Sequence, residues 1–181
     1  MATRAVPAPL AQLPNALTLG RLVLIPIFVA LMVQAGGAHS WTAGIIFGVA
    51  GATDQIDGFL ARLWHVESRF GKIADPLADR LMIDAAVILH VAYGRLPWVA
   101  LAVILARDGL LLVGYRVLAP RRIEIDVNVV GKLATWLLYA GVGFRIVTDA
   151  AWPLWLFWIG LGLALAAAVL YVRDARRELA R

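Results

Sequence analysis

Six largely apolar stretches of roughly 20 residues, several of them weakened by charges they carry and all separated by short polar breaks, point to a bundle of membrane-crossing helices. About 20 residues at 1.5 Å rise cover the ~30 Å hydrocarbon layer. No water satisfies the backbone there, so only helices or a closed barrel can span it. The stretches fall near 17–35, 41–63, 75–94, 97–118, 129–148 and 152–172. The expected fold is therefore all-α, a polytopic membrane protein with six transmembrane helices. The chain is 62% hydrophobic, against roughly 45–50% apolar usage in soluble domains. Residues 1–13 read as an interfacial lead, 14–175 as one six-helix domain and 176–181 as a basic tail.

An even number of spans puts both termini on one side, and basic residues choose the side. The 36–40 and 149–151 turns have no Lys or Arg, and the 95–96 turn has only Arg95. The other side carries Arg4, Arg69, Lys72, Arg121, Arg122, Arg173, Arg176, Arg177 and Arg181. That side, with both termini, is expected to be cytoplasmic. The net charge of +5 then reflects loops that meet anionic lipid heads rather than nucleic acid. With no cysteine there is neither a disulfide nor a thiolate metal site. No cleavable signal sequence is expected, since the first apolar run has no small-residue cleavage pattern. Trp41, Trp98, Trp152 and Trp155 fall near outer helix ends and read as interface anchors.

Four carboxylates break the apolar pattern. Asp54-x-x-Asp57-Gly58-x-x-Ala61-Arg62 is followed, eight residues on, by Gly71-x-x-x-Asp75-x-x-x-Asp79. Carboxylates at bilayer depth are expensive and mark function. Asp54 and Asp57 are i and i+3, Asp75 and Asp79 are i and i+4, so each pair shares a helix face. Two such faces together hold too much negative charge to stay ionised without cations. Hard divalent ions take carboxylate oxygens and keep positions open for substrate phosphates. The pattern points to a metal-dependent enzyme acting on a phosphorylated substrate at a membrane. The best candidate for a base is also an aspartate, because crowding and burial raise a carboxylate's pKa.

Gly58 and Ala61 lie on the same face, where missing side chains would admit a bulky ligand; close helix approach is the plainer alternative. Arg62 could fork onto a pyrophosphate or snorkel at a helix end. Asp75 precedes Pro76 and could cap the third helix, which explains neither Asp79 nor the first pair. Arg80 and Asp84 can pair with each other. His65 reads as solvated, and His39 and His90 lie towards the outer side. An aspartate-rich prenyltransferase would space its acids differently. An ion transporter would show broken, duplicated helices.

The spacing matches the signature of the CDP-alcohol phosphotransferase family at every fixed position, and the chain is identified as a member on those residues. Pro14-Asn15-Ala16-Leu17-Thr18, with Arg21 and Pro26, also resembles the family's first helix. The resemblance implies transfer of a substituted phosphate from a CDP-alcohol to a second alcohol, with release of CMP. It implies two divalent cations, Mg²⁺ or Mn²⁺, held by Asp54, Asp57 and Asp75. Asp79 would be the base and could also touch a metal. Asp54, Gly58, Ala61, Arg62 and Gly71 would surround the CDP group. A homodimer in a bacterial plasma membrane, with its site facing the cytoplasm, is further implied.

The resemblance also bears on the acceptor. Phosphatidylglycerophosphate synthases of the family often show Arg-Glu in helix four and Gly-Lys-x-Lys-Thr before helix five. Here these are Arg107-Asp108 and Gly131-Lys132-Leu133-Ala134-Thr135. Ala134 replaces the second lysine, and one fewer cation suits an acceptor with less charge than glycerol 3-phosphate. With Trp136, Leu138 and Tyr139 following, the pattern looks more like the family's cardiolipin synthases. The expected reaction is transfer from CDP-diacylglycerol to phosphatidylglycerol. The alternative acceptor is glycerol 3-phosphate, and inositol phosphate is more remote. Arg107 and Lys132 are the candidate ligands for the acceptor phosphate.

Overall fold

The computed structural model describes residues 12–64, 69–118 and 129–179. Six helices account for nearly all of them: α1 (Leu13–Gln34), α2 (Trp41–Trp64), α3 (Arg69–Ala92), α4 (Trp98–Leu118), α5 (Val129–Val147) and α6 (Trp152–Leu179). There is no strand among the described residues. The chain divides into two compact units, residues 1–93 and 94–181.

Local chemistry sets the helix ends. Proline in the first turn of α1 gives up an N–H that has no partner there anyway. Gly36 and Gly37 end that helix with φ of 59° and 87°, a region open to glycine. The Ser40 hydroxyl accepts from the Ala43 N–H at 3.2 Å and so caps α2. Gly94, at φ 69°, follows α3 in the usual left-handed position after a helix.

In the first unit α1 touches both α2 and α3, and α2 touches α3. Phe28 and Phe47 meet with ring centroids 5.6 Å apart, and Met32, Ala43, Ala50, Ala78, Met82 and Val87 complete the buried core. A Cβ on Gly37 would come within 2.9 Å of the Tyr93 Cβ. The turn after α1 and the end of α3 therefore share one end of this unit. The opposite end holds the start of α1, the end of α2 and the start of α3.

In the second unit α6 touches both α4 and α5. Its junction with α5 is built on glycine. A Cβ at Gly141 would lie 2.6 Å from the Phe157 backbone nitrogen, and one at Gly160 would lie 2.8 Å from that of Leu138. Lipid offers no hydrophobic drive between helices, so close contact through small residues holds them instead. Ala134, Leu138, Val142 and Ile146 on α5 are buried, as are Phe157, Leu161 and Ala164 on α6.

Three helices are long and apolar enough to cross a membrane, over Asn15–Gln34, Val129–Val147 and Trp152–Arg177. Large apolar side chains such as Val23, Ile45, Val113 and Val169 point outwards, as lipid-facing surfaces require. In α2 the apolar run is only Trp41–Thr53. The helices thus number six as expected, while three meet the spanning criterion among the described residues.

Two helices are longer than hydropathy indicates. The third begins at Arg69 rather than 75, which shortens its link from α2 to residues 65–68, outside the described residues. The last runs on to Leu179, so Arg173, Arg176 and Arg177 are helical. Hydropathy detects the apolar part of a helix, whereas Arg, Lys and Ala are good helix formers at any polarity.

Candidate active site

The side chains of Asp54, Asp57, Gly58, Ala61, Arg62, Gly71, Asp75 and Asp79 lie outside the described residues, but the helices that carry them do not. Asp54 and Asp57 lie on α2, about 15 and 10 Å of helix rise before its end at Trp64. Asp75 and Asp79 lie on α3, about 9 and 15 Å after its start at Arg69. The end of α2 and the start of α3 are joined by a four-residue link. All four aspartate positions thus lie about 9 to 15 Å of helix rise from the ends that the link joins, on two helices in contact. The spacings i,i+3 and i,i+4 are real helical spacings, since both segments are α-helix throughout.

One expectation changes. Asp75 is not at a helix start: α3 opens six residues earlier, so Asp75 and Pro76 are inside it. A capping role for Asp75 is removed. Pro76 instead lacks the N–H that would donate to the Lys72 carbonyl, so one helical hydrogen bond is missing from the turn that leads into Asp75.

Two features of the first unit were not assigned roles from sequence. Arg21 is 1% exposed, on the helix that touches both aspartate-bearing helices. It sits about 12 Å from the start of α1, at the depth of the acidic positions. A buried arginine needs opposing charge or carbonyls. Only its place in the family's first-helix pattern singled it out. The Thr53 hydroxyl donates back to the carbonyls of Val49, at 3.0 Å, and Ala50, at 2.8 Å. Such back-bonding tends to bend a helix, here in the turn that leads into Asp54.

In the second unit Arg107 is half-buried near the middle of α4 and donates to Asp108 at 3.1 Å. One partner of this mid-helix arginine is thus its own neighbour. Lys132 is exposed in the first turn of α5. Ala134 is fully buried, and a Cβ on Gly160 of α6 would come within 3.1 Å of its carbonyl oxygen. Position 134 is therefore a helix-contact position. The approach of α6 favours a small side chain there, a second reason for alanine beside an acceptor of lower charge.

Trp41, Trp98, Trp152 and Trp155 are all exposed at helix starts, as anchors should be. His90 is buried, with Nδ1 2.7 Å from the Ala86 carbonyl oxygen. His39 is exposed.

The donor set suits a hard cation: four aspartates at helical spacing on two contacting helices, with no cysteine in the chain. A helix pair with this spacing, Gly58 and Ala61 beside it, fits CDP-alcohol chemistry, and comparison with known proteins agrees. Residues 11–168 match the family described as CDP-alcohol phosphatidyltransferase.

The chain belongs to that family.

It is a phosphatidyltransferase by the same match. A protein of Mycobacterium tuberculosis (strain ATCC 25618 / H37Rv) named "Probable phosphatidylglycerophosphate synthase" is 36% identical, over 95% of this chain and 85% of the relative. The "CDP-diacylglycerol--glycerol-3-phosphate 3-phosphatidyltransferase" of Escherichia coli (strain K12) is 33% identical, over 93% of this chain and 97% of the relative. Its counterpart in Shigella flexneri serotype 5b is 32% identical over the same shares. The last two names specify glycerol 3-phosphate as the acceptor of those relatives.

Proposed function

We propose that this phosphatidyltransferase is a phosphatidylglycerophosphate synthase, transferring the phosphatidyl group of CDP-diacylglycerol to glycerol 3-phosphate. What carries the chemistry is the register of the acidic motif on two contacting helices. What favours this acceptor is the activity for which relatives matching nearly the whole chain are named. Cardiolipin formation from phosphatidylglycerol has no such support, and helix contact gives Ala134 a second explanation.

Asp54, Asp57 and Asp75 would hold divalent cations, with Asp79 beside them. Mg²⁺ or Mn²⁺, two by the family resemblance, would offset the charge of the pyrophosphate and of the CMP leaving group. Gly58, Ala61 and Gly71 leave room for the CDP group, and Arg62 offers a fork for its phosphates. The acceptor hydroxyl oxygen bonds to the phosphorus that carries diacylglycerol. The anhydride bond to CMP breaks, and the hydroxyl proton passes to Asp79. A carboxylate crowded by others is basic enough for that transfer. Lys132 and Arg107 would receive the glycerol 3-phosphate dianion, Arg107 with its charge partly met by Asp108. All six helices would span, with the acidic end of the first unit facing the cytoplasm, in a homodimer.

The test uses purified protein, CDP-diacylglycerol and glycerol 3-phosphate. Phosphatidylglycerophosphate and CMP should form in equal amounts with Mg²⁺ or Mn²⁺ and stop in EDTA. Undiminished turnover in EDTA would contradict the metal assignment. Asp79→Asn should retain CDP-lipid binding while losing turnover; a collapse in affinity instead would make Asp79 a ligand rather than the base.

A further inference from the structure

The charged group at the far end of α5 has no part in the proposed reaction. Arg145 lies in the last turn of α5, about 20 Å of helix rise from Lys132. Arg95 donates to the Arg145 carbonyl at 2.6 Å and to Asp149 Oδ1 at 2.8 Å. Arg145 Nη1 is 3.4 Å from the same oxygen. Two guanidinium groups thus share one carboxylate, leaving one positive charge in excess among the described residues. The arginine side chains are 6% and 14% exposed, whereas Asp149 is 66% exposed. Arg95 Nε and Nη1 and Arg145 Nε are buried with no hydrogen-bond partner among the described residues. Buried N–H groups of a cation are costly to leave unmet. Burial first, then Arg145, pulls the Arg95 pKa below its usual value, and Asp149 opposes this.

The surroundings name the ligand class. Phe144 and Trp152 meet with ring centroids 4.8 Å apart beside this group. Trp98 and Trp155, at the starts of α4 and α6, are exposed. Aromatic residues at helix ends mark the headgroup level of a bilayer. A charge-rich group at that level, short of one anion, is matched by a phosphodiester.

We propose that Arg95 and Arg145, at the Asp149 turn, bind the phosphate of a monoanionic phospholipid headgroup, in the leaflet opposite the end of α5 that carries Lys132. The phosphate would enter where Asp149 meets the surface, displacing or flanking its exposed carboxylate. Guanidinium groups suit this role because each presents a fork of donors to phosphate oxygens.

The test measures thermal stability and bound lipid for the full chain, in nanodiscs of phosphatidylcholine with or without phosphatidylglycerol. Wild type should gain stability with the anionic lipid and retain it in native mass spectra. Arg145→Gln should weaken that retention about tenfold, the worth of one charge-assisted hydrogen bond. Asp149→Asn, which removes the competing carboxylate, should strengthen it. A double Arg176→Gln, Arg177→Gln variant at the other end of α6 controls for general attraction and should keep the wild-type response. Should Arg145→Gln fail to fold, the Asp149→Asn result alone decides. Equal lipid retention by wild type and Asp149→Asn would overturn the proposal. So would inorganic phosphate, in phosphatidylcholine alone, reproducing the full effect.

Discussion

The two halves of the chain solve the membrane problem in opposite ways. The second unit keeps charge away from its main helix contact: α5 and α6 are both apolar enough to span, and they join through Gly141 and Gly160 with backbone nearly touching backbone. The first unit carries charge inside. Of its three helices only α1 meets the spanning criterion, and that helix touches both aspartate-bearing neighbours and buries Arg21 and Thr18. Helices that could not sit in lipid alone are those to which the chemistry is assigned, as expected where intramembrane charge is retained for function. One unit is specified by small residues at contacts, the other by polar residues at fixed spacing.

That contrast can be broken by exchanging the kinds of damage. The largest effect belongs to the first unit. Asp57→Asn should lower CMP release by about a thousandfold or more while the thermal unfolding midpoint in detergent moves little. An active Asp57→Asn protein would remove the first unit from the chemistry. Next comes Ala134→Lys in the second unit. A lysine forced into the α5–α6 contact should cost about 3 kcal/mol. The surviving protein, assayed with both acceptors, should still prefer glycerol 3-phosphate. A shift in acceptor preference without loss of stability would return position 134 to the substrate site.

Gly141→Ala should destabilise by about 2 kcal/mol through overpacking against Phe157. Gly162→Ala, with nothing within 4 Å of its Cβ, should leave the midpoint unchanged or slightly raised. Equal behaviour of the two would mean that α5 and α6 are not held at glycine contacts. The smallest effect is Lys132→Ala. Loss of one charge-assisted contact should raise KM for glycerol 3-phosphate about tenfold, with KM for CDP-diacylglycerol unchanged. A matching rise for both substrates would assign Lys132 elsewhere.

The contrast also explains what was legible in the sequence. Three helices could be read because they are apolar runs of membrane length, the others because polar turns break the chain at regular intervals, and the Asp54–Asp79 frame because its spacing survives any detail of side-chain placement. The start of α3 at Arg69 was hidden, since a polar helical turn looks like a loop to hydropathy. Position 134 has two explanations because sequence alone cannot tell a residue chosen to fit a neighbouring backbone from one chosen to meet a substrate. The Arg95–Arg145–Asp149 group joins residues about fifty positions apart, so no local pattern could announce it. Sequence had treated Arg95 as a lone exception on the uncharged side.

The acceptor decides the central claim most directly. Purified protein would be given CDP-diacylglycerol and Mg²⁺ with equal amounts of glycerol 3-phosphate, phosphatidylglycerol and inositol phosphate, and the lipid products identified by mass. The account predicts phosphatidylglycerophosphate as the dominant product. Cardiolipin as the dominant product would contradict it.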